Sequence, residues 1–186
     1  MGRIRAIITD FDGTLVNTFM ANYLAYYSAC KHYGYNLTKE QYKEWYGLRY
    51  DDLCKKIGIS SEHKSAIKEL KKKIYPSFFE YLTINQNILT FIKAAKLIYG
   101  IKTCIASTAS RENLYNVLRY FNLEEYFDII ITGENVDHGK PNPEVYLKAL
   151  SLLDCEPDEA LVFEDSEVGC EAAENAEINY IKILGN

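Results

Sequence analysis

The chain has 186 residues, of which 48% are hydrophobic and 25% are charged, with a formal net charge of −5 at pH 7. This composition excludes a disordered or collagen-like chain and leaves room for one domain with a modest insertion. No apolar run approaches the ~20 residues that a membrane helix needs, and the stretch Ile4–Ile8 is too short for a signal peptide. We therefore expect a soluble, cytoplasmic protein. An acidic chain without an Arg-rich stretch predicts neither a nucleic-acid partner nor a membrane partner.

Short, β-branched, apolar runs alternate with stretches of helical periodicity along most of the chain. The runs are Ile4–Thr9, Lys102–Ala106, Asp128–Thr132, Ala160–Phe163 and Asn179–Leu184. This alternation predicts an α/β fold with a Rossmann-like parallel sheet of about five strands and helices on both faces. Ligands of such sheets bind at the carboxyl ends of the strands.

Residues 15–80 depart from the alternation because they show no strand signal. Periodic aromatic and aliphatic residues, punctuated by Gly34, Gly47 and Gly58, predict about four helices there. We therefore expect a small all-helical cap at 15–80, inserted after strand one, and an α/β core formed by residues 1–14 and 81–186. The inserted segment carries a net charge of +4 and the rest carries −9. A basic insertion would attract anionic partners, but a Lys-rich solvated helix face gives the same count.

Cysteine and histidine usage narrows the kind of metal site that the chain can form. The five cysteines are widely spaced without a C-x-x-C pair, and the three histidines show no metal-ligand spacing. The cysteines are therefore expected to be reduced thiols. Carboxylates remain as metal ligands, and they favour a hard cation such as Mg²⁺.

Acidic residues follow two of the predicted strands. Asp10 and Asp12 lie on the turn after the first strand, and Glu164 and Asp165 follow the fourth. If these two strands are neighbours, the carboxylates converge, and their mutual repulsion requires a cation. An all-oxygen set of this density fits octahedral Mg²⁺. A single Asp-x-Asp turn taken alone could equally be a solvated loop.

Hydrogen-bond donors follow two further strands of the predicted sheet, the second and the third. Ser107 and Thr108 come after the second strand, and Gly139–Pro143 places Lys140 after the third. A phosphoryl group beside Mg²⁺ needs donors for its other oxygens, and a hydroxyl with an ammonium group supplies them.

These segments together resemble the four motifs of the haloacid dehalogenase superfamily. The residues that carry the resemblance are Asp10–Thr18, Ile105–Ser107, Gly139–Pro143 and Val162–Gly169, in that order along the chain. The helical insertion directly after the first motif is similar to the cap of the phosphoglycolate phosphatase and β-phosphoglucomutase-like branch.

The resemblance implies catalytic roles for four residues. Asp10 would be the nucleophile that forms an aspartyl-phosphate, and Asp12 would be the general acid/base. Ser107 and Lys140 would hold the transferring phosphoryl group, with Thr108 as a candidate to share the work of Ser107.

The resemblance also implies ligands for Mg²⁺ and contacts with the substrate. The Asp10 carboxylate, the Asp12 main-chain carbonyl and Asp165 would bind the metal, with Glu164 as a further ligand or as an acid that supports the ligands. Gly13 would let the backbone approach the phosphoryl oxygens, and with Thr14 it completes the expected substrate contacts in the core.

The expected reaction is Mg²⁺-dependent hydrolysis of a small organic phosphomonoester, of the sugar-phosphate or phosphoglycolate type. A dehalogenase is disfavoured because Asp12 is present. A mutase of the β-phosphoglucomutase type stays open, since Gly47–Asp52 resembles the segment in which that type carries a substrate-binding arginine. The spacing from glycine to Arg49 is one residue shorter here, and Arg49 can equally be a solvated charge. A catalytically silent binding protein is the remaining alternative. The expected partner is a small phosphorylated metabolite, and the expected assembly a monomer or weak homodimer.

Overall fold

The structure is a computed structural model that describes residues 3–184. Contacts within the chain divide it into two compact units. The core unit ends at Asn17 and resumes at Thr83, and the helical unit is Thr18–Leu82. None of the helices described in residues 3–184 has the length and apolar character needed to cross a membrane.

The core unit is built on a parallel sheet whose five strands lie in the order β5-β4-β1-β6-β7. In this sheet β1 (Ala6–Thr9) lies between β4 (Lys102–Ala106) and β6 (Ala160–Glu164), with β5 (Ile129–Ile131) and β7 (Asn179–Lys182) at the edges. Thr9 pairs with Ile105 on one side and with Phe163 on the other. The predicted parallel sheet is therefore confirmed, and its first strand is central.

Four α-helices of the core unit cover both faces of this sheet. They are α5 (Gln86–Tyr99), α6 (Arg111–Phe121), α7 (Glu144–Leu153) and α8 (Glu167–Asn175). Val162 of β6 packs in one buried cluster with Tyr146 of α7 and Ala173 of α8. The next residue, Phe163, points to the opposite face, where its ring lies 5.5 Å from that of Phe91 in α5. The predicted helical layers on both faces are present.

A second, two-stranded antiparallel ribbon also belongs to the core unit. It consists of β2 (Val16–Asn17) and β3 (Thr83–Ile84), in which Val16 pairs with Ile84. The expectation that residues 15–80 contain no strand is wrong at this point, and 15–17 lie with the core unit. Strands of two residues are too short to show an alternation in the sequence.

The helical unit contains α1 (Phe19–His32), α2 (Lys39–Glu44), α3 (Tyr50–Ile57) and α4 (Ser61–Ile74), followed by a 3-10 segment (Tyr75–Tyr81). Aromatic side chains fill its interior, as the periodicity predicts: Tyr42 is buried, and its ring contacts those of Phe19, Tyr23, Tyr26 and Tyr46. Lys71 of α4 is buried as well, and its ammonium donates to Asn22 Oδ1 over 2.7 Å. Tyrosine in this unit thus packs the interior of a small helical bundle.

Candidate active site

The turn after β1 begins the candidate site. Asp10 N donates to Phe163 O over 2.9 Å, which continues the pairing of β1 with β6. The chain then reverses, since Gly13 N donates to Val16 O and Val16 N donates to Phe11 O. Gly13 has a φ of +96°, a left-handed conformation that suits glycine. This turn places Asp10 and Asp12 at the carboxyl edge of the sheet.

Asp165 lies against this turn. A Cβ atom at Gly13 would stand 2.2 Å from Asp165 Oδ2, so the glycine leaves room for the carboxylate. Thr14 Oγ1 donates to Asp165 Oδ1 over 2.7 Å, and Thr14 is fully buried. The structure thus gives Gly13 and Thr14 a role in holding Asp165. The substrate contact expected of Thr14 stays a prediction beside this observed hydrogen bond.

Lys140 reaches Asp10 from the loop before α7. Its Nζ lies 2.7 Å from Asp10 Oδ1 and also forms an ion pair with Glu164 Oε1. The three side chains are 6%, 11% and 1% exposed, so the group is shielded from water. Burial alone would lower the pKa of Lys140, but Asp10, Tyr146 and Glu164 hold that pKa well above its usual value. Lys140 is therefore an ammonium ion at neutral pH.

Negative charge exceeds positive charge at this edge. Burial raises the pKa of Asp10 well above its usual value; Lys140 opposes the shift, and Glu164 and Asp12 add to it. Burial also raises the pKa of Asp165, against the hydrogen bond from Thr14. One ammonium group thus faces several carboxylates. A bound cation would relieve this repulsion.

Three carboxylates come close enough to share an ion. One oxygen from each of Asp10, Glu164 and Asp165 lies within 4.8 Å of the others. An all-oxygen donor set fits a hard cation such as Mg²⁺. Asp12 is half-buried and forms a β-bridge to Val16 through its main chain. In the described residues this close group does not include the Asp12 carboxylate.

Three residues to which the sequence reasoning gave no role surround Glu164. Tyr146 O–H donates to Glu164 Oε1 over 3.1 Å, and Ser166 donates to Oε2 from both its N and its Oγ over 3.0 Å. Gly169 leaves space for the carboxylate, because a Cβ there would overlap Glu164 Oε1 at 1.8 Å. For Gly169 the sequence did hold a signal, because glycine is an unfavourable residue inside a helix and its presence there calls for a packing reason. Tyr146 held no such signal in the sequence, because an aromatic residue at its position in α7 is typical of a buried core residue.

Ser107 follows β4 at the same edge. It is 2% exposed, its N donates to Ile131 O, and its Oγ accepts from Ala109 N over 3.0 Å. Because Thr9 pairs with Ile105, Ser107 and Phe11 each lie two residues beyond paired positions on neighbouring strands. Thr108 is exposed in the same loop. The core unit therefore places residues of all four motifs at one edge of the sheet, where contacts join Asp10, Lys140 and Glu164.

Arg49 lies in the helical unit. It is exposed and is the residue that precedes the first turn of α3. Its main chain accepts the first hydrogen bonds of that helix, from Asp52 N and Leu53 N.

The geometry agrees with the comparison to known families. A family model described as haloacid dehalogenase-like hydrolase matches residues 7–183. The chain belongs to this family. The predictions of the superfamily, of its Rossmann-like fold and of a hydrolase are therefore confirmed.

Individual haloacid dehalogenase-like proteins resemble the chain over nearly its whole length. A phosphorylated carbohydrates phosphatase of Thermotoga maritima is 33% identical over 185 residues, which are 96% of this chain and 84% of that protein. A crystal structure of a CbbY mutant from Rhodobacter sphaeroides in complex with xylulose-1,5-bisphosphate has a TM-score of 0.88 and 26% identity, over 98% of this chain and 87% of that one. A β-phosphoglucomutase from Clostridium difficile has a TM-score of 0.80 and 25% identity, over 96% and 84%.

Proposed function

We propose that the protein is a Mg²⁺-dependent phosphatase that hydrolyses a small organic phosphomonoester through an aspartyl-phosphate on Asp10. The observation that carries the proposal is the buried contact of 2.7 Å between Lys140 Nζ and Asp10 Oδ1, beside Asp165. A carboxylate attacks a phosphate dianion only if their repulsion is neutralised, and Lys140 supplies a fixed positive charge at that point.

In the first step an Asp10 oxygen attacks phosphorus, and the bond from phosphorus to the ester oxygen breaks. Asp12, in its protonated form, gives its proton to the departing oxygen, so the alcohol leaves neutral. Lys140 and Ser107 donate hydrogen bonds to the phosphoryl oxygens during the transfer. The Oγ of Ser107 already accepts from Ala109 N, which orients its proton away from that amide.

In the second step water attacks the phosphorus of the aspartyl-phosphate. Asp12, now ionised, takes a proton from this water, and the bond from phosphorus to Asp10 breaks to release inorganic phosphate. The carboxylate of Asp10 and the proton on Asp12 are thereby restored.

Mg²⁺ would be held by the carboxylates of Asp10 and Asp165 and by the main-chain carbonyl of Asp12. Glu164 would be a further ligand or an acid that supports the ligands. The donor set fits, since the oxygens of Asp10, Glu164 and Asp165 lie within 4.8 Å of one another. When bound, Mg²⁺ would neutralise charge on the phosphoryl oxygens and lower the repulsion that the carboxylates exert on the substrate. Thr14 and Gly13 keep Asp165 in position for this role.

A phosphorylated sugar is the substrate class that we favour. The Thermotoga maritima relative acts, by its name, on phosphorylated carbohydrates, and the CbbY structure contains a sugar bisphosphate. Arg49, an exposed cation, stays a candidate for substrate recognition. The core residues contact the phosphoryl group that all such substrates share.

A phosphosugar mutase is the second candidate, favoured by the structural similarity to the β-phosphoglucomutase. Both reactions share the first step. A mutase returns the phosphoryl group of Asp10 to a sugar hydroxyl instead of to water, so it consumes a sugar phosphate without releasing phosphate.

Phosphate release from a panel of phosphomonoesters tests the proposal. We expect turnover of p-nitrophenyl phosphate with Mg²⁺, loss of turnover with EDTA, and the highest kcat/KM for a sugar phosphate. Conversion of β-glucose 1-phosphate into glucose 6-phosphate without phosphate release would instead identify the mutase. A chain that performs neither reaction with Mg²⁺ present would overturn both candidates and leave a binding protein.

A further inference from the structure

We propose that Tyr146 is a positioning residue, which holds the Glu164 carboxylate and through it the Lys140 ammonium at Asp10. The inference rests on the proposed function, in which Lys140 acts on Asp10 and on the phosphoryl group. Tyr146 lies in the first turns of α7, six residues after Lys140, and its side chain is fully buried.

Tyr146 makes two contacts with this group through one rigid side chain. Its O–H donates to Glu164 Oε1 over 3.1 Å, and the same oxygen accepts the ion pair from Lys140. Its ring lies beneath the ammonium, with Lys140 Nζ 5.0 Å from the ring centroid. The hydroxyl thus fixes the acceptor of Lys140, while the ring attracts the cation directly. These contacts restrain Lys140 in the place where its Nζ reaches Asp10.

The other sides of the Glu164 carboxylate are already fixed. Oε2 accepts from Ser166 N and Oγ, and the space above Gly169 confines the carboxylate. Ser166 is itself held, since its Oγ accepts from Gly169 N over 3.1 Å. Oε1 is the end at which the carboxylate meets Lys140, and Tyr146 is the neutral donor there.

The choice of tyrosine at this position needs an explanation. A phenylalanine would fill the same buried volume in α7 without placing a polar atom in the core. A buried hydroxyl is unfavourable unless it is hydrogen-bonded, and the hydrogen bond contributes most stabilisation when the acceptor is charged. Here the acceptor is the carboxylate that pairs with Lys140.

Replacement of the hydroxyl tests the inference in the full chain. We expect Tyr146→Phe to lower kcat for p-nitrophenyl phosphate about tenfold, with KM changed less than about twofold, because a hydrogen bond to a charged group is lost. Tyr180→Phe is the matched control: Tyr180 donates to Glu174 Oε1 over 2.6 Å in an exposed pair, and its removal should leave both constants within about twofold. In a Glu164→Gln background the further effect of Tyr146→Phe should fall below about twofold.

A second measurement does not depend on turnover. Acetylation of each lysine by sulfo-N-hydroxysuccinimide acetate, followed by mass spectrometry, reports how tightly each ammonium is held. We expect Lys140 to be acetylated about fivefold faster in Tyr146→Phe than in the unaltered chain. Lys148, an exposed residue of α7, serves as the reference. Lys102 donates to Leu153 O at the end of α7 and therefore reports on the helix as a whole.

The outcomes separate the two proposals. Faster acetylation of Lys140, with Lys102 and Lys148 unchanged, supports the positioning role, even if the unaltered chain releases no phosphate and the proposed function fails. Acetylation of Lys140 that stays within about twofold of the unaltered chain overturns the positioning role, whatever the turnover. Joint acceleration at Lys102 and Lys140 would show that α7 has loosened, and it would also overturn the role.

Discussion

The carboxylate of Asp165 occupies the space that a side chain at residue 13 would fill. Gly13 and Asp165 are 152 positions apart in the sequence, yet a Cβ at Gly13 would lie 2.2 Å from Asp165 Oδ2. Thr14 holds the other carboxylate oxygen, so two consecutive residues of the first motif set the position of an acid from the fourth. The two motifs therefore form one structural unit at the edge of the sheet.

Substitution of Gly13 by alanine should remove most activity. The new methyl group would displace Asp165, and the φ of +96° would strain any residue with a side chain. We expect kcat/KM for p-nitrophenyl phosphate to fall about 100-fold and the Mg²⁺ concentration for half-maximal rate to rise. Gly100→Ala is the control, since Gly100 also has a positive φ but no atom within 4 Å of its Cβ position. Equal losses in both variants would attribute the effect to backbone strain.

Substitution of either aspartate of the first motif should abolish turnover for different reasons. Asp10→Asn removes the nucleophile, so no covalent phosphoryl-enzyme should form. Asp12→Asn removes the proton donor and acceptor, so kcat should fall by about 1,000-fold or more. Acid quenching with a radiolabelled phosphoryl donor measures the intermediate, and phosphate release measures turnover. Normal turnover by either variant would contradict the proposed mechanism.

Mg²⁺ should raise the thermal stability of the chain. The carboxylates of Asp10, Glu164 and Asp165 repel one another when the ion is absent, and an ion that binds the folded state stabilises it by mass action. We expect 10 mM Mg²⁺ to raise Tm by about 4 °C in a thermal unfolding experiment. Asp165→Asn should abolish the shift, while Asp158→Asn, at an exposed acid outside the site, should retain it.

The thiols should differ in their reaction rates. Cys30, Cys54, Cys104 and Cys170 are buried, whereas Cys155 is half-buried. Burial raises the pKa of Cys30 to about 11, with a smaller contribution from Cys54. At pH 8 we expect one thiol per chain to react rapidly with a disulfide reagent and all five to react in denaturant. At pH values below the pKa of a thiol, its reaction rate should rise about tenfold for each unit by which pH is raised, because the thiolate is the reactive form. Rapid reaction of several thiols in the native chain would contradict the buried placement.

Much of the fold could be predicted from the sequence, and so could the placement of five acidic and basic residues after strands of one sheet: Asp10, Asp12, Lys140, Glu164 and Asp165. Strand ends could be located because β-branched runs stop at polar residues, as Ile4–Thr9 stops at Asp10. Parallel strands then bring those ends to one edge. The ion pair of Lys140 with Asp10 joins residues 130 positions apart, and the sequence pattern indicated only that both residues follow strands of one sheet.

The supporting residues could not be found in this way. Thr14 was expected among the substrate contacts, and nothing in the sequence indicated that its hydroxyl donates to Asp165. Tyr146 occupies an apolar position of α7 whose hydroxyl direction depends on the packing of β6. The ribbon of Val16 with Ile84 depends on a pairing between segments 68 residues apart in sequence. Each of these contacts is a property of the assembled sheet.

The ribbon of β2 and β3 fixes the points at which the chain leaves the core unit and returns to it. Asn17 and Thr83 are paired, so the chain leaves the core unit and returns to it at adjacent backbone positions, after the 65 residues Thr18–Leu82. Paired antiparallel residues can be joined by a two-residue turn. The helical unit could therefore be replaced by a hairpin turn, or by a different set of helices. Neither replacement would change the register of the strands that carry Asp10, Ser107 and Glu164.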